Sequence, residues 1–426
     1  MHDLRRLAHL RLELLENRTV PNGGRLDRSF GGDGTVTVVP SYAAETEEVL
    51  VQTDGKVLLV GWTSPGSYGV PTLARLTPEG VPDPTFGTAG VITFALPGGY
   101  GEFTGAALTA TGEIIATGVY RLPDQDNSVI VARFLTDGGL DPTFGGGDGV
   151  VLTPFPGLAG FATPAPVVVL PDGRAVVAVR PWSSSTGEWQ VLRYTASGDL
   201  DPSFSGDGRA IIDFGQTGGD HPQAVRIQPD GKVVVAGAVG GFFSSAPGLA
   251  RLNPDGSPDL TFGVNGRVVS TVPGDQGAAG RDLLLLPGGK LLVIASTGAL
   301  LNDGQDLTMF QYNPDGSPDS TFDGDGIVVV SDLPIRFTPF AGAQQADGLI
   351  VMAGYCFNNL GGRQLDSFIA RFTPDGLLDP SFGPAVSNTL PGIVITDIGL
   401  GGNDYFQAVT LQADGRIVAA GFAGYA

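Results

Sequence analysis

The sequence predicts an all-β fold, a seven-bladed β-propeller of four-stranded antiparallel blades, and three observations point there. A segment of the form Leu-Asp-Pro-Ser/Thr-Phe-Gly recurs with its phenylalanine at Phe30, Phe86, Phe144, Phe204, Phe262, Phe322 and Phe382, at spacings of 56, 58, 60, 58, 60 and 60 residues. A second marker, an Asp-Gly-Lys/Arg turn or a close variant, sits at Asp54-Gly55, Thr111-Gly112, Asp172-Gly173, Asp230-Gly231, Gly288-Gly289, Asp347-Gly348 and Asp414-Gly415. Finally, 66 glycines and 32 prolines punctuate a chain that is still 42% hydrophobic, which suits short apolar strands joined by turns better than disorder.

Each turn joins two apolar runs, such as Ala224 to Gln228 and Lys232 to Gly237, and Asp-Gly between β-branched runs is a strong hairpin signal. A third run, Gly248 to Leu252, precedes the Asp-Pro-x-Phe segment, and a fourth, Gly266 to Ser270, follows it. Each repeat thus holds four strands with no helical period between them, a propeller pattern. An open propeller would leave strand edges at its seam. Because the last repeat ends after three strands, Asn17 to Val20 is expected to supply its fourth from the N-terminus. In that arrangement the strand after Asp-Pro-x-Phe is innermost and the Ala-Arg-Leu strand outermost. The expected organisation is an export-like or mobile segment at 1–16 and one propeller at 17–426.

Ala250-Arg251-Leu252-Asn253-Pro254-Asp255-Gly256, followed by Asp259-Leu260-Thr261-Phe262-Gly263 and preceded by Ile227-Gln228-Pro229-Asp230-Gly231-Lys232, resembles the bacterial delta-60 repeat family. The resemblance covers residues 17–426 and implies a propeller of exported or surface proteins, with no reaction attached to it. Gln311 departs from it, replacing the arginine of the other copies. Arg11 to Pro21 is similar to the Leu-Glu-x-Leu-Glu-x-Arg-x-x-Pro opening of secreted bacterial surface proteins, which implies a secreted or cell-surface location.

Charge narrows the partners. With 24 basic against 44 acidic side chains the net charge is −20, which repels phosphate backbones and anionic lipid, so no nucleic acid and no membrane insertion are expected. The single cysteine, Cys356, excludes an internal disulfide and a cysteine-based zinc cluster. Histidine occurs only at His2, His9 and His221, too few for a His-rich metal site. The Gly-Asp-Gly segments at Asp33, Asp148, Asp207 and Asp323 to Gly326 offer one or two carboxylates each, fewer than a calcium loop needs, and read as tight turns. No cofactor and no metal are expected, and the chain is expected to be a monomer.

Residues that recur in every copy serve the blade before any ligand. Asp83, Asp141, Asp201, Asp259, Asp319 and Asp379 are expected to cap turns, and Arg75, Arg133, Arg193, Arg251 and Arg371 to pair with nearby acids. Asymmetric work falls to the loops of variable length. There the sequence places the candidate binding residues Trp62, Tyr68, Tyr120, Trp182, Trp189, Phe242, Phe243 and Phe357, large rings that suit a contact surface. The function expected is a noncatalytic, exported interaction scaffold presenting an aromatic loop face to a protein or polysaccharide. The alternative is a carboxylate-dependent hydrolase or lyase acting on a polysaccharide, drawing on Glu45, Glu47, Glu48, Glu102, Asp220 and Asp404.

Overall fold

A computed structural model describes residues 8–15, 24–38, 43–66, 68–94, 99–122, 127–155, 165–180, 188–216, 221–240, 245–271, 277–297, 306–331, 333–358, 364–383, 390–396 and 401–425. The chain is all-β and its sheets are propeller blades of four antiparallel strands. Six blades are each built from four consecutive strands. Blade I holds Ala43–Val51, Val57–Ser64, Val70–Leu76 and Val91–Thr93; blade II holds Tyr100–Leu108, Ile114–Arg121, Ser128–Phe134 and Val150–Pro154. Blade III holds Val167–Val169, Ala175–Val179, Trp189–Tyr194 and Arg209–Ile212; blade IV holds His221–Ile227, Val233–Val239, Ala246–Leu252 and Arg267–Val269. Blade V holds Ala278–Leu285, Leu291–Thr297, Asp306–Tyr312 and Ile327–Val330; blade VI holds Phe337–Gln344, Ile350–Asn358, Gln364–Phe372 and Ile393–Thr396.

The expected seven equivalent blades are therefore corrected to six. The seventh copy of the markers is split, with Phe30 near one end and the Asp414-Gly415 turn near the other, so no continuous repeat builds it. Its strands pair instead as a composite sheet, in the order Thr35–Thr37, Ala8–Leu15, Ile417–Tyr425 and Gly401–Leu411. The strand from the N-terminal segment is Ala8–Leu15, with Leu12 opposite Ala420, whereas the expected strand at 17–20 lies outside the described residues.

The chain falls into two compact units: residues 1–94 with 332–426, and residues 95–331. The first holds blades I and VI and the composite sheet, and the second holds blades II to V. Within each unit the first strands of successive sheets pack beside one another. The strand after Asp-Pro-x-Phe is the far edge and the Ala-Arg-Leu strand is third, whereas the first was expected innermost and the second outermost. The core lies between neighbouring sheets: Val234, Ala236 and Leu249 of blade IV meet Leu283, Val293 and Phe310 of blade V, and Val351 and Ile369 of blade VI meet Phe406 and Val409 of the composite sheet. Among the described residues no helix is long and apolar enough to cross a membrane.

The recurrent residues form one clip per blade. In blade I, Arg75 Nε donates to Asp83 Oδ2 at 2.8 Å, while Asp83 Oδ1 accepts from the backbone and hydroxyl of Thr85, and the guanidinium carbon lies 4.4 Å from the centre of the Phe86 ring. The same set recurs at Arg133, Asp141 and Phe144, at Arg193, Asp201 and Phe204, at Arg251, Asp259 and Phe262, and at Arg371, Asp379 and Phe382. Gln311, the departure noted in the sequence, donates to Asp319 at 2.7 Å, and the turn lysine Lys290, which reaches Asp319 at 2.5 Å as Lys232 reaches Asp259, is the cation that remains. In the composite sheet Arg416 reaches Asp27 at 2.7 Å. Burial opposes the charged form of Asp83, yet the hydrogen bonds from Thr85 and the charge of Arg75 outweigh it and hold the carboxyl down at about 2.

In the second unit the clip also fastens one blade to the next. Arg133 Nη1 donates to the Ala196 carbonyl at 2.6 Å, and Arg193 and Arg251 donate likewise to the carbonyls of Pro254 and Pro314. The residue after the phenylalanine donates its amide to the same turn, Ser205 to Asp255 at 2.7 Å and Gly263 to Asp315 at 2.8 Å. Gly256 in that turn has φ +87°, and a Cβ there would lie 2.9 Å from Ser205 N and 3.0 Å from the Phe204 ring. Gly324 shares the φ of +87° but has nothing within 4 Å. Replacing Gly324 by alanine is expected to cost only the left-handed penalty, about 1 kcal/mol. Gly256→Ala adds a steric clash and is expected to cost about 2–4 kcal/mol. Urea unfolding of the two variants checks the difference.

Candidate functional site

At the end of the blades opposite the clips, the first strands of the first unit carry an irregularity that positions the candidate site. A glycine in the second strand, Gly61, Gly354 or Gly421, faces a carbonyl so closely that a Cβ would lie 1.9 Å from Glu45 O, 2.0 Å from Thr338 O or 2.0 Å from Tyr405 O. No side chain fits there, and the first strand bulges beside it, inserting Glu47, Phe340 and Gln407 without a register partner. Such a bulge bends the strand and re-aims its side chains. In the first unit the three first strands, Ala43–Val51, Phe337–Gln344 and Gly401–Leu411, bring these re-aimed residues together.

The result is a half-buried aromatic cluster around one carboxylate. Tyr405 Oη donates to Glu45 Oε1 at 2.9 Å and Gln407 Nε2 donates to the same oxygen at 3.1 Å. Tyr405 stacks on Phe422, its register partner, with centroids 4.9 Å apart and planes at 10°. Tyr355 lies 6.4 Å from Tyr405, 5.6 Å from Phe340 and 5.6 Å from Phe357. Burial pushes the Glu45 carboxyl above its ordinary range against the pull of its two hydrogen bonds. Burial, and then the nearby Glu45 charge, push the Tyr405 phenol upward. The cluster presents flat apolar rings with one acceptor and one amide at their rim, a lining suited to an amphipathic ligand.

The sequence-predicted residues divide into three groups. Glu45 and Phe357 belong to the cluster, and Trp62 stands opposite Glu45 in the strand register, half-buried. Tyr68 is 60% exposed in the connection between the second and third strands of blade I. Glu47 and Glu48 sit at the bulge beside Glu45, half-buried, whereas Glu102 and Asp404 are buried. Trp182, Asp220, Phe242 and Phe243 lie outside the described residues.

Two candidates are corrected. Trp189, expected in an exposed loop, is the first residue of a strand, fully buried, and meets Phe214 edge-on at 4.7 Å among Val176, Val191 and Ile212. Tyr120 is buried in the second strand of blade II, its ring against the backbone of Gly99 and Gly101. Both rings are core, Trp189 among branched and aromatic side chains and Tyr120 in the space left by two glycines. Cys356 is equally enclosed, and burial followed by the Asp366 charge pushes its thiol up to about 12, so it stays protonated.

Sequence reasoning missed Phe340, Tyr355, Tyr405, Gln407 and Phe422. The signal that locates them is the second-strand glycine six residues after the turn glycine, as in Gly55 and Gly61, Gly348 and Gly354, and Gly415 and Gly421. That spacing marks the bulges that hold Glu47, Phe340 and Gln407.

The repeat that sets up this geometry matches a known family. The model of the family described as Domain of unknown function (DUF5122) beta-propeller matches residues 52–86, 109–144, 170–204, 228–262, 286–322 and 345–382, together just over half of the chain. The chain belongs to the DUF5122 β-propeller family. Each match in this DUF5122 chain runs from just before the turn to the marker phenylalanine, so the split seventh copy has no match. No curated protein matches it. Among solved structures it is similar to the polysaccharide lyase Uly1, with 11% identity over 98% of this chain and 99% of that one at a TM-score of 0.46. Plexin A of Drosophila in complex with Semaphorin 1b is 11% identical over 88% of this chain and 85% of that one, TM-score 0.43. A protein of unknown function from Dyadobacter fermentans is 11% identical over 90% and 95%, TM-score 0.40.

The contrast between the tryptophans of this DUF5122 propeller is testable by thermal and urea unfolding. Trp189→Ala empties a core position and is expected to cost about 3–5 kcal/mol. Trp62→Ala, at a half-buried edge, is expected to cost about 1–2 kcal/mol and leave the protein folded.

Proposed function

We propose that this chain is a noncatalytic interaction module that binds a polysaccharide on the aromatic cluster of its first unit. The observation that carries the reading is the cluster itself: Phe340, Tyr355, Tyr405 and Phe422 gather half-buried around Glu45 and Gln407. A sugar ring has an apolar C–H face and a hydroxyl rim. Aromatic rings bury the first, and a carboxylate beside an amide pairs with the second. Side chains bent into position by bulges are held by strands rather than by flexible loops, so little entropy is lost when a ligand orders them. The repeat's resemblance to delta-60 proteins and the Leu-Glu-x-Leu-Glu-like opening at Leu12 to Arg18 support an exported chain, which would meet polysaccharide outside the cell.

The second reading, a hydrolase or lyase on the same ligand, draws on the Glu45–Tyr405 pair, a carboxyl raised by burial and a phenol in hydrogen-bond contact that can share a proton. Two-carboxylate hydrolysis would need a second carboxyl about 5–10 Å from Glu45, for which Glu47 and Glu48 at the same bulge are the candidates, whereas binding needs only the rings, the carboxylate and the amide already gathered there.

Affinity electrophoresis against a panel of soluble polysaccharides tests the proposal. At least one polysaccharide is expected to retard the wild type. Tyr355→Ala is expected to weaken that binding about tenfold or more with the fold retained, while Tyr68→Ala leaves it unchanged. Retardation unaffected by Tyr355→Ala would remove the cluster as the contact surface. Release of new reducing ends or of an unsaturated product, abolished by Glu45→Gln, would favour the enzymatic reading.

A further inference from the structure

The charge beside the aromatic cluster narrows the ligand that the cluster can take. Lys56, Arg75, Arg371 and Arg416 of the first unit lie at the clip end, held on Asp83, Asp379 and Asp27. Glu45 stands at the opposite end. Its two hydrogen bonds, from Tyr405 Oη at 2.9 Å and Gln407 Nε2 at 3.1 Å, both reach one oxygen, Oε1. Among the described residues no donor reaches its Oε2 and no cation pairs with it. Glu45 is half-buried, and burial already opposes its charged form. A carboxylate drawn from water without a counter-charge is costly, and a ligand that brings the cation removes that cost.

The rings are arranged to meet a compact charge. Phe340 lies 5.6 Å from Tyr355 and 6.4 Å from Tyr405, Tyr355 lies 6.4 Å from Tyr405, and the three planes are inclined to one another by 52°, 60° and 64°. Phe357 meets Tyr355 at 79°. These inclined rings differ from a single flat platform on which a sugar ring alone would lie. An ammonium is attracted to the negative face of an aromatic ring, most strongly where water is partly excluded.

We propose that the cluster takes a polysaccharide bearing free amino groups, with one ammonium beside Glu45 and against the rings of Tyr355 and Tyr405. The polysaccharide rests on the function proposed above, while the amine rests on the uncompensated carboxylate and the inclined rings. An ammonium carries three N–H donors and no acceptor, which suits an open carboxylate oxygen. The net charge of −20 also draws a cationic chain toward the protein.

The test is calorimetric titration of the full chain at pH 6 with three hexasaccharides: a glucosamine hexamer with free amines, its N-acetylated counterpart and a neutral glucan. The free-amine hexamer is expected to bind about ten times more tightly than the other two. Glu45→Gln, which keeps the side chain's size, is expected to abolish that preference, with a melting curve confirming the fold. Should that variant not fold, Tyr355→Leu carries the test, since it keeps an apolar side chain but removes the ring face, and it is expected to reduce the preference several-fold. Equal binding of the three hexamers overturns the amine inference and leaves the polysaccharide reading standing. A preference unchanged in the folded variant assigns it to the overall charge of the chain and overturns the inference equally. Failure of every hexamer to bind, with no polysaccharide retarding the protein in electrophoresis, overturns both readings; retardation by a neutral polysaccharide alone overturns only the amine.

Discussion

The buried aspartate at the corner of each blade, paired with arginine in five of the six, is the constraint on which the rest of the structure depends. Asp259 illustrates it: one oxygen takes Arg251 at 2.7 Å and Lys232 at 3.0 Å, the other holds the Thr261 turn at 2.7 Å, and the arginine covers Phe262 and extends to Pro314 of the following repeat. A carboxylate taken from water this far is tolerable only when every lone pair is used. Once it is, the turn, the third strand, the phenylalanine and the next blade share one geometry. Gln311 shows that the requirement is a filled set of donors with at least one cation rather than arginine itself, since on Asp319 an amide replaces the guanidinium and the turn lysine Lys290, equivalent to Lys232, remains as the cation. The linkage to pH has a definite sign. Asp83 and Asp201 titrate at about 2 in the fold and near 3.9 unfolded, so they contribute stability above about pH 4 that is lost as pH falls through 2.

Because the clips occupy one end of every blade, the opposite end is free to differ. There the first strands bulge without dictating which residue fills the bulge: beside a second-strand glycine it is Glu47, Phe340 or Gln407 in one unit and Gln223 in the other, and in blade V, where Ala295 stands opposite Gly280, it is Arg281. The same kind of bulge thus presents acidic, aromatic, amide and basic side chains on different blades. The division explains why the repeated aspartates and arginines are structural even though they are the most conspicuous charges in the sequence.

Much of this was legible from the chain alone, because a clip made of residues within eleven positions of one another leaves a local signature. The phenylalanine spacing, the Asp-Gly turns and the Arg–Asp partnership are all of that kind. The order of strands within a blade was not local: counting seven copies of the markers led to seven equivalent blades, and the expectation that the N-terminus fills a missing strand put the strand after Asp-Pro-x-Phe at the wrong edge. Trp189 and Tyr120 were misplaced for a related reason: a large ring beside a variable loop reads as exposed, and only the small residues of a neighbouring strand, such as Gly99 and Gly101, reveal the space it fills. The Glu45–Tyr405 contact joins residues 360 positions apart, a distance over which no spacing argument operates.

The central claim is that the clip carboxylate, and not hydrophobic contact alone, fastens the blades, and the unfolding free energy of Asp259→Asn measured in urea at pH 7 tests it most directly. The substitution preserves size and a donor–acceptor amide but leaves Arg251 and Lys232 without their shared charge. The account predicts a loss of about 3–5 kcal/mol, the cost of a buried cation deprived of its partner. A loss within about 0.5 kcal/mol of zero would contradict it and assign the fastening to the phenylalanine and the apolar core.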